Sequence, residues 1–358
     1  MNENMNKQEK IESIKIQHNA SIIEALKTMD ATFRRLLLVF NNNSFVNILS
    51  IGDIQRAILK NVLLDSPISN ILRKETLISS QSEPLEVIEK RMLDQRIECM
   101  PILDSDNKLV DVIFWEDVFT ETNKPIKNTF NLPVVIMAGG EGTRLRPITH
   151  VLPKALIPVG EESILERIIK SFLNYGSNEF YISVNYKANM IRQYIDDINN
   201  KQYSVSYLTE DKPLGTAGAL HDLKGKIDGN FFVTNCDILI QNDYSEILDY
   251  HTNNQNDLTV VAALKHYAVP YGVLETEDNG RLTKLTEKPE FTYKINSGMY
   301  ILNSKVLDYI PQNKYFHMTH LIEEILSRNG NVGVFPVSEK SWIDIGDWHH
   351  YLKNNLKK

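Results

Sequence analysis

VVIMAGGEGTRLRPITHVLPKALIPVG, Val134–Gly160, is the stretch on which the reading of this chain turns. An apolar run leads into Gly139, Gly140 and Gly142, and Arg144, Arg146 and Lys154 follow among prolines. Glycines lack a Cβ, so successive backbone N–H groups can close on phosphate oxygens or on a base edge. An arginine fork suits a pyrophosphate, and a lysine supplies a compact positive charge. Prolines at 147, 153 and 158 stiffen the segment that carries the lysine. Two familiar phosphate motifs do not fit. The dinucleotide fingerprint needs a third glycine after Gly140-x-Gly142, and a P-loop needs Lys-Ser or Lys-Thr after its last glycine. What remains is a strand that ends in a glycine-rich, basic, anion-binding turn.

Downstream, apolar runs such as FYISV, FFVTN and LTVVAAL alternate with amphipathic segments such as SILERIIKSFLNYG. Strands that alternate with helical patterns of this length predict a parallel α/β sheet. Upstream, ETNKPIKNTFNLP, Glu121–Pro133, is polar, carries two prolines and reads as a linker. Domains are therefore expected at 1–122 and 131–358.

The first of these repeats itself. Ser21–Phe40 lies over Pro84–Leu103 at an offset of 63, which places Met29 on Met92 and Val39 on Ile102. After a one-residue shift Val46–Ile54 lies over Val110–Val118, with Asp53 on Asp117. Each copy reads as helix, strand, polar turn, strand and helix, a pseudo-symmetric α+β pair around a shared core.

Composition narrows the function classes. The net charge of −7 argues against a general affinity for nucleic acid or anionic membrane. Two cysteines, Cys99 and Cys236, are too few for a disulfide framework or a four-thiolate metal site. The start, MNENMNKQEK, has no signal-peptide h-region, and no apolar run is long enough to span a bilayer. A soluble, cytoplasmic protein is expected.

The repeated unit resembles a CBS motif, and the pair a CBS tandem over about residues 10–120. The resemblance implies that Ser50 and Asp53 contact the ribose and phosphates of an adenine nucleotide. The second copy keeps Asp117 but has Phe114 where the first has Ser50, a departure from the pattern. A regulatory or an assembly role are the two expectations, with a homo-oligomer in either case.

From Pro133 onward the chain resembles the sugar-1-phosphate nucleotidyltransferases, and it carries their motifs in the expected order. It resembles in particular members that join CBS motifs to this domain, such as the glucosamine-1-phosphate guanylyltransferases of bacterial legionaminic acid synthesis. The resemblance implies a Rossmann-like, mixed but mostly parallel sheet. It implies that the loop Ala138, Gly139, Gly140, Gly142 and Thr143 lies against a nucleotide. Arg144 then holds the β- and γ-phosphates, and Lys154 sits near the α-phosphate and the incoming sugar phosphate. In YLTEDKPLGTAGAL, Tyr207–Leu220, the small residues Gly215 and Thr216 admit base and ribose. Glu210 stands where pyrimidine-using relatives carry Gln. An ionised Glu only accepts hydrogen bonds, so it matches the adjacent N1–H and N2–H donors of guanine and favours GTP over UTP, dTTP or CTP. The alternative is that Glu210 faces solvent and a backbone group reads the base.

Asp237 in FFVTNCDIL and Asp344 in SWIDIGDW resemble the family's Mg²⁺ ligands, with Asp347 an unassigned third carboxylate and Cys236 a packing residue. Tyr271–Glu290 reads as a hairpin with a DNG turn. There the resemblance gives Glu287 and the backbone of Gly272 to the sugar and Lys288 to its 1-phosphate, with Asn296 a further sugar contact. In HMTHLIEEIL, His317–Leu326, Thr319 is the expected helix cap and the histidines are expected to pack. The expected reaction joins a nucleoside triphosphate and a sugar 1-phosphate; a nucleotide-sensing regulatory subunit is the rival.

Overall fold

The computed structural model describes residues 7–95, 97–118, 129–198 and 201–346. The chain divides into two compact units, Met1–Lys127 and Asn128–Lys358. No helix among the described residues is long and apolar enough to cross a membrane.

The first unit carries the repeat as two like sheets. Lys15–Gln17, Leu36–Asn41 and Ser44–Ser50 form one, and Ser79–Ser80, Cys99–Leu103 and Leu109–Phe114 the other. In both, the first pair is parallel and the second antiparallel. Helices Ile22–Thr32 and Leu85–Gln95 precede the two hairpins and bury Met29 and Met92. Both hairpins bulge at the same place, directly after Val39 and Ile102. The extra residues, Val46 and Val110, both face outward. The one-residue shift in the repeat arises in the turns: Asn41 pairs with Ser44 in the first hairpin, whereas Leu103 pairs with Leu109 in the second.

The second unit is built on a seven-stranded sheet. Its strands in chain order are β1 (Val134–Met137), β2 (Glu179–Val184), β3 (Ser204–Thr209), β4 (Asn230–Asn235), β6 (Leu258–Ala268), β9 (Glu290–Asn303) and β10 (Val332–Ser338). Outside it lie β5 (Ile238–Ile240) with β11 (Trp342–Asp344), and the hairpin β7 (Val273–Thr276) with β8 (Leu282–Thr286). The sheet order is β3-β2-β1-β4-β9-β6-β10. Only β9 runs antiparallel to its neighbours, so the sheet is mixed but mostly parallel, a Rossmann-like α/β arrangement.

The apolar runs are continuous because the central strands are covered on both faces. Alternate residues of one strand enter opposite cores: Val134 and Ile136 one, Val135 and Met137 the other. Helix α1 (Ile164–Leu173) shows why the sequence folds this way. Ser163 caps it by accepting the Glu166 N–H at 3.1 Å, and Ile164, Leu165, Ile168, Ile169 and Phe172 form one buried stripe. Each such side chain contributes about 1.5–3 kcal/mol on burial.

The topology places the site. From β1 the chain goes to β2 and β3 on one side, then returns to β4 on the other. That reversal leaves a crevice at the carboxyl ends of β1 and β4, where ligands bind in open α/β sheets.

Candidate active site at the carboxyl edge of the sheet

The glycine turn leaves β1 at this crevice, and each glycine has its own reason. A Cβ on Gly139 would lie 2.9 Å from Glu210 Oε1. Gly142 has φ +64°, and its Cβ would lie 2.8 Å from Thr149 Cγ2 and 3.1 Å from Lys154 Cβ. These two glycines are thus required by close approach of protein to protein. Gly140 differs: it is exposed and nothing lies within 4 Å of a Cβ built there. Ala138 is buried, and its N–H donates to the Ser183 carbonyl at 2.9 Å, which ties the turn to β2. Thr143 and Arg144 are exposed, while Leu145 between them and the next turn anchors the segment in the interior.

Two carboxylates meet beyond β4. Strands β5 and β11 pair antiparallel with Ile238 opposite Asp344, and the Ile345 N–H donates to the Asp237 carbonyl at 3.1 Å. This small sheet joins residues more than a hundred positions apart. Gly346 sits at the meeting point. A Cβ there would lie 2.6 Å from Asp237 Oδ2, 2.8 Å from Asp344 Oδ1 and 3.0 Å from Arg144 Nη2. The Gly346 N–H donates to Asp344 Oδ1 at 2.6 Å. Lys154 Nζ pairs with Asp237 Oδ2, and both side chains are largely buried. Arg144 makes no ion pair among the described residues. Asp347 lies outside the described residues.

The donor set fits a hard divalent cation. Two carboxylate oxygens converge on one small volume, and substrate phosphates and water would complete an octahedron. No group of three or more metal-ligating side chains occurs among the described residues, so the protein alone does not form a closed cage. Cys236 is no nucleophile: burial, then the charge of Asp237, pushes its thiol up to about 12.

Glu210 faces inward, not toward solvent, with 7% exposure. Its Oε1 accepts from the Ser183 hydroxyl and its Oε2 from the Leu214 N–H at 2.8 Å. Asn185 Nδ2 donates to the Glu210 carbonyl at 2.6 Å. Sequence reading missed Ser183 and Asn185; the visible signal was a serine inside the apolar run FYISV.

The Gly215 turn packs on the segment before helix α4 (Met318–Ser327). Gly215 has φ +82°, and a Cβ there would lie 2.7 Å from the Phe316 carbonyl oxygen. The Thr216 hydroxyl accepts the Met318 N–H at 2.9 Å and so satisfies the start of α4. This corrects the expectation for Thr319, which lies inside the helix. His317 stands at the N-cap, where its N–H donates to His320 Nδ1 at 3.2 Å, and Thr216 adds an acceptor from a distant segment because the two loops are in van der Waals contact. His317 Nδ1 lies 3.4 Å from Thr216 Oγ1 and its ring 5.5 Å from that of His320, a packed pair with no further metal-ligating partner among the described residues.

The sugar-side candidates lie on the β7–β8 hairpin and its flanks. Gly272, Glu287 and Lys288 are all exposed. A Cβ on Gly272 would lie 3.1 Å from Glu287 Oε2 and 3.2 Å from Leu285 Cδ1, so those residues form one spot. Asn279 and Gly280 both have positive φ and make the DNG turn. Lys288 has φ +45° directly before Pro289, a costly conformation of the kind that clusters at ligand clamps. Asn296 Oδ1 accepts the Gly298 N–H at 3.0 Å, and a Cβ on Gly298 would lie 2.6 Å from Asn235 Nδ2. Asn296 is thereby linked to the end of β4, two residues before Asp237. Asn235 and Gly346 were not singled out by sequence.

In the first unit Ser50 caps helix Ile51–Leu59, and Asp53 closes the capping box by accepting the Ser50 N–H at 2.9 Å. Asp53 Oδ1 also accepts from Arg73 Nε at 2.7 Å and from Arg56, and Arg73 Nη2 donates to Ser50 Oγ at 2.8 Å. Burial raises the Asp53 carboxyl, but the Arg73 and Ser50 hydrogen bonds together outweigh it and hold it below its ordinary value. In the second copy Asp117 accepts the Phe114 N–H at 3.1 Å in the capping position and a hydrogen bond from Lys10 Nζ at 3.4 Å. The Phe114 ring is buried, with Lys10 Nζ 4.1 Å from its centroid. A hydrophobic ring thus replaces the hydroxyl that Ser50 supplies in the first copy.

Comparison with known proteins bears on both units. Residues 133–358 match the family model described as nucleotidyl transferase, and residues 8–60 and 68–123 match the CBS domain. Mannose-1-phosphate guanylyltransferase catalytic subunit beta of Dictyostelium discoideum is 31% identical over 227 residues, 62% of this chain and 63% of that one. Probable mannose-1-phosphate guanylyltransferase 1 of Oryza sativa subsp. japonica is 30% identical over 229 residues, with 62% and 63% covered. The chain therefore spans about 63% of the length of these curated relatives. The crystal structure of HddC from Yersinia pseudotuberculosis is 28% identical with a TM-score of 0.50, covering 63% of this chain and 99% of that one.

Proposed function

The chain belongs to the nucleotidyl transferase family and carries a CBS pair before the catalytic domain, and on that premise we propose that it catalyses GTP + sugar 1-phosphate ⇌ GDP-sugar + pyrophosphate. The observation that carries the reading is the convergence of Arg144, Asp237 and Asp344 around Gly346. Guanine follows from Glu210, a buried acceptor next to Gly139, and from relatives that are named guanylyltransferases.

In this reading the backbone of Ala138–Gly142 and Thr143 lies along the nucleotide, with open space above Gly140 for it. Gly215 and Thr216 border the base and ribose. Arg144 holds the β- and γ-phosphates that leave as pyrophosphate. Lys154 gives up Asp237 and takes the α-phosphate and the incoming sugar phosphate. Glu287 and Gly272 hold the sugar, Lys288 its 1-phosphate, and Asn296 a further hydroxyl. Aligning two anions for in-line displacement and neutralising them are the protein's main contributions. The attacking oxygen is already anionic at neutral pH, so no covalent enzyme intermediate is needed. A divalent cation, Mg²⁺ in this reading, would be held by Asp237 and Asp344 and would supply Lewis-acid stabilisation of phosphate charge.

The acceptor is a hexose 1-phosphate. Mannose 1-phosphate, after the relatives' names, and glucosamine 1-phosphate, after the sequence resemblance, are the first two to test. Residues 1–122 act as the regulatory or assembly module of a cytoplasmic homo-oligomer. Ser50 and Asp53 are its adenine-nucleotide candidates, with Asp117 the weaker counterpart. The test is pyrophosphate release with Mg²⁺ across four NTPs and a panel of sugar 1-phosphates. Release with GTP and one sugar supports the reading. Release with another NTP keeps the reaction and rejects the base, and silence across the panel favours a regulatory subunit.

A further inference from the structure

We propose that Ser183 is a positioning residue for base recognition: its hydroxyl holds Glu210 as a double acceptor that selects guanine. The inference rests on the GTP reading above and names a residue that neither the motifs nor the family resemblance assigns.

Ser183 is fully buried, with no exposure, inside the apolar run Phe180–Val184 of its strand. A buried hydroxyl is costly unless it is hydrogen-bonded. A small apolar residue would fill the same space, so the serine calls for a partner, and that partner is Glu210 Oε1. The backbone of the same residue accepts the Ala138 N–H at 2.9 Å. Ser183 therefore fixes both the end of β1, where the glycine turn begins, and the carboxylate that faces it.

The chemistry follows from the donors. The Leu214 N–H can only donate, so Glu210 Oε2 must accept. The Ser183 hydroxyl donates to Oε1, so that oxygen is engaged as an acceptor too. Each carboxylate oxygen has a second acceptor site. Held in this way, Glu210 offers two acceptors side by side and no donor. Guanine N1–H and N2–H match that pair. Inosine keeps N1–H and lacks the N2 amine, so it leaves one acceptor unpaired. Removing the Ser183 hydroxyl frees one carboxylate oxygen to rotate, and the second acceptor loses its place.

The experiment is calorimetric binding of GTP, ITP and UTP to the full chain with Mg²⁺ and without any sugar. The proteins are wild type, Ser183→Ala and Ser183→Thr. Wild type is expected to bind GTP about tenfold more tightly than ITP, the value of one hydrogen bond to a charged group. Ser183→Ala should weaken GTP about tenfold and ITP little, which brings the two constants together. Ser183→Thr, which keeps the hydroxyl, should restore the preference. If Ser183→Ala does not fold, Ser183→Cys, a near-isostere with a weak donor, carries the same comparison. Equal weakening of both nucleotides, or no change, would show a merely structural serine and overturn the inference while the GTP reading stands. A wild type that binds UTP as well as GTP overturns both.

Discussion

The two halves of the site are built differently. On the proposed nucleotide side two carboxylates are internal, Glu210 with 7% exposure and Asp237 with 5%, while Arg144 is exposed. Glu210 follows the edge strand β3 and Asp237 the central strand β4, and each carboxylate is already engaged, Glu210 by Ser183 and Leu214, Asp237 by Lys154. On the sugar side Gly272, Glu287 and Lys288 are exposed, as are Tyr271, Leu274 and Leu285 around them. They are carried by a two-stranded hairpin, an element of marginal stability by itself. In the proposed reading the carboxylates of the nucleotide half are therefore in place before substrate arrives. In the same reading the sugar half is free to adapt, and sugar specificity is set there.

The strongest way to break this contrast is at Asp237. Asp237→Ala should lower turnover by at least about a thousandfold while the fold persists, since it removes charge stabilisation at the transferring phosphate. Appreciable Mg²⁺-dependent activity in that variant, with native circular dichroism, would reject the role. Next is Gly346→Ala. Its Cβ would stand 2.6 Å from Asp237 Oδ2 and 2.8 Å from Asp344 Oδ1. Spreading the carboxylates should cost about a hundredfold in kcat, because small misplacements of reacting groups are expensive; steady-state kinetics and a melting curve check it.

A milder change sharpens the division between halves. Glu287→Gln should raise KM for the sugar 1-phosphate about tenfold and leave KM for GTP unchanged, the loss of one charge-assisted hydrogen bond. A shift in both constants would mean that the halves are coupled from the start. The smallest effect lies in the first unit. The Asp53 carboxyl is held below its ordinary value of 3.8. A depressed carboxyl contributes stability above its unfolded pKa, and that contribution is lost as pH falls through the folded one. Arg73→Ala should lower Tm at pH 7, and the gap from wild type should close on acidification below about pH 4. A gap that is constant with pH would assign Arg73 a packing role only.

The sequence exposed this site unevenly, for physical reasons. The turn at Gly139–Gly142 was legible because backbone approach requires glycine and phosphate requires basic residues, all within one short segment. The repeat was legible because Met29 and Met92, and Val39 and Ile102, occupy equivalent buried places. Gly346 was not, since its necessity comes from Asp237, Asp344 and Arg144 meeting around it, three segments that only the β5–β11 pairing and the sheet bring together. The start of α4 was misread in part for the same reason: His317 and His320 cap it locally, but Thr216, which accepts the Met318 N–H, comes from a distant segment. Glu210 stood out by its place before Gly215, but its partners on β2 and at Leu214 depend on tertiary packing. The sugar stayed illegible because the residues that would define it stand exposed on an adaptable hairpin.

The most direct test of the central claim is a four-way competition. Equimolar GTP, UTP, dTTP and CTP are incubated with Mg²⁺, the full chain and mannose 1-phosphate or glucosamine 1-phosphate, and the nucleotide sugars formed are separated by mass. The account predicts a GDP-sugar as the dominant product, and its absence in the Asp237→Ala chain. A UDP-, dTDP- or CDP-sugar in its place, or a GDP-sugar formed equally well by Asp237→Ala, would contradict it.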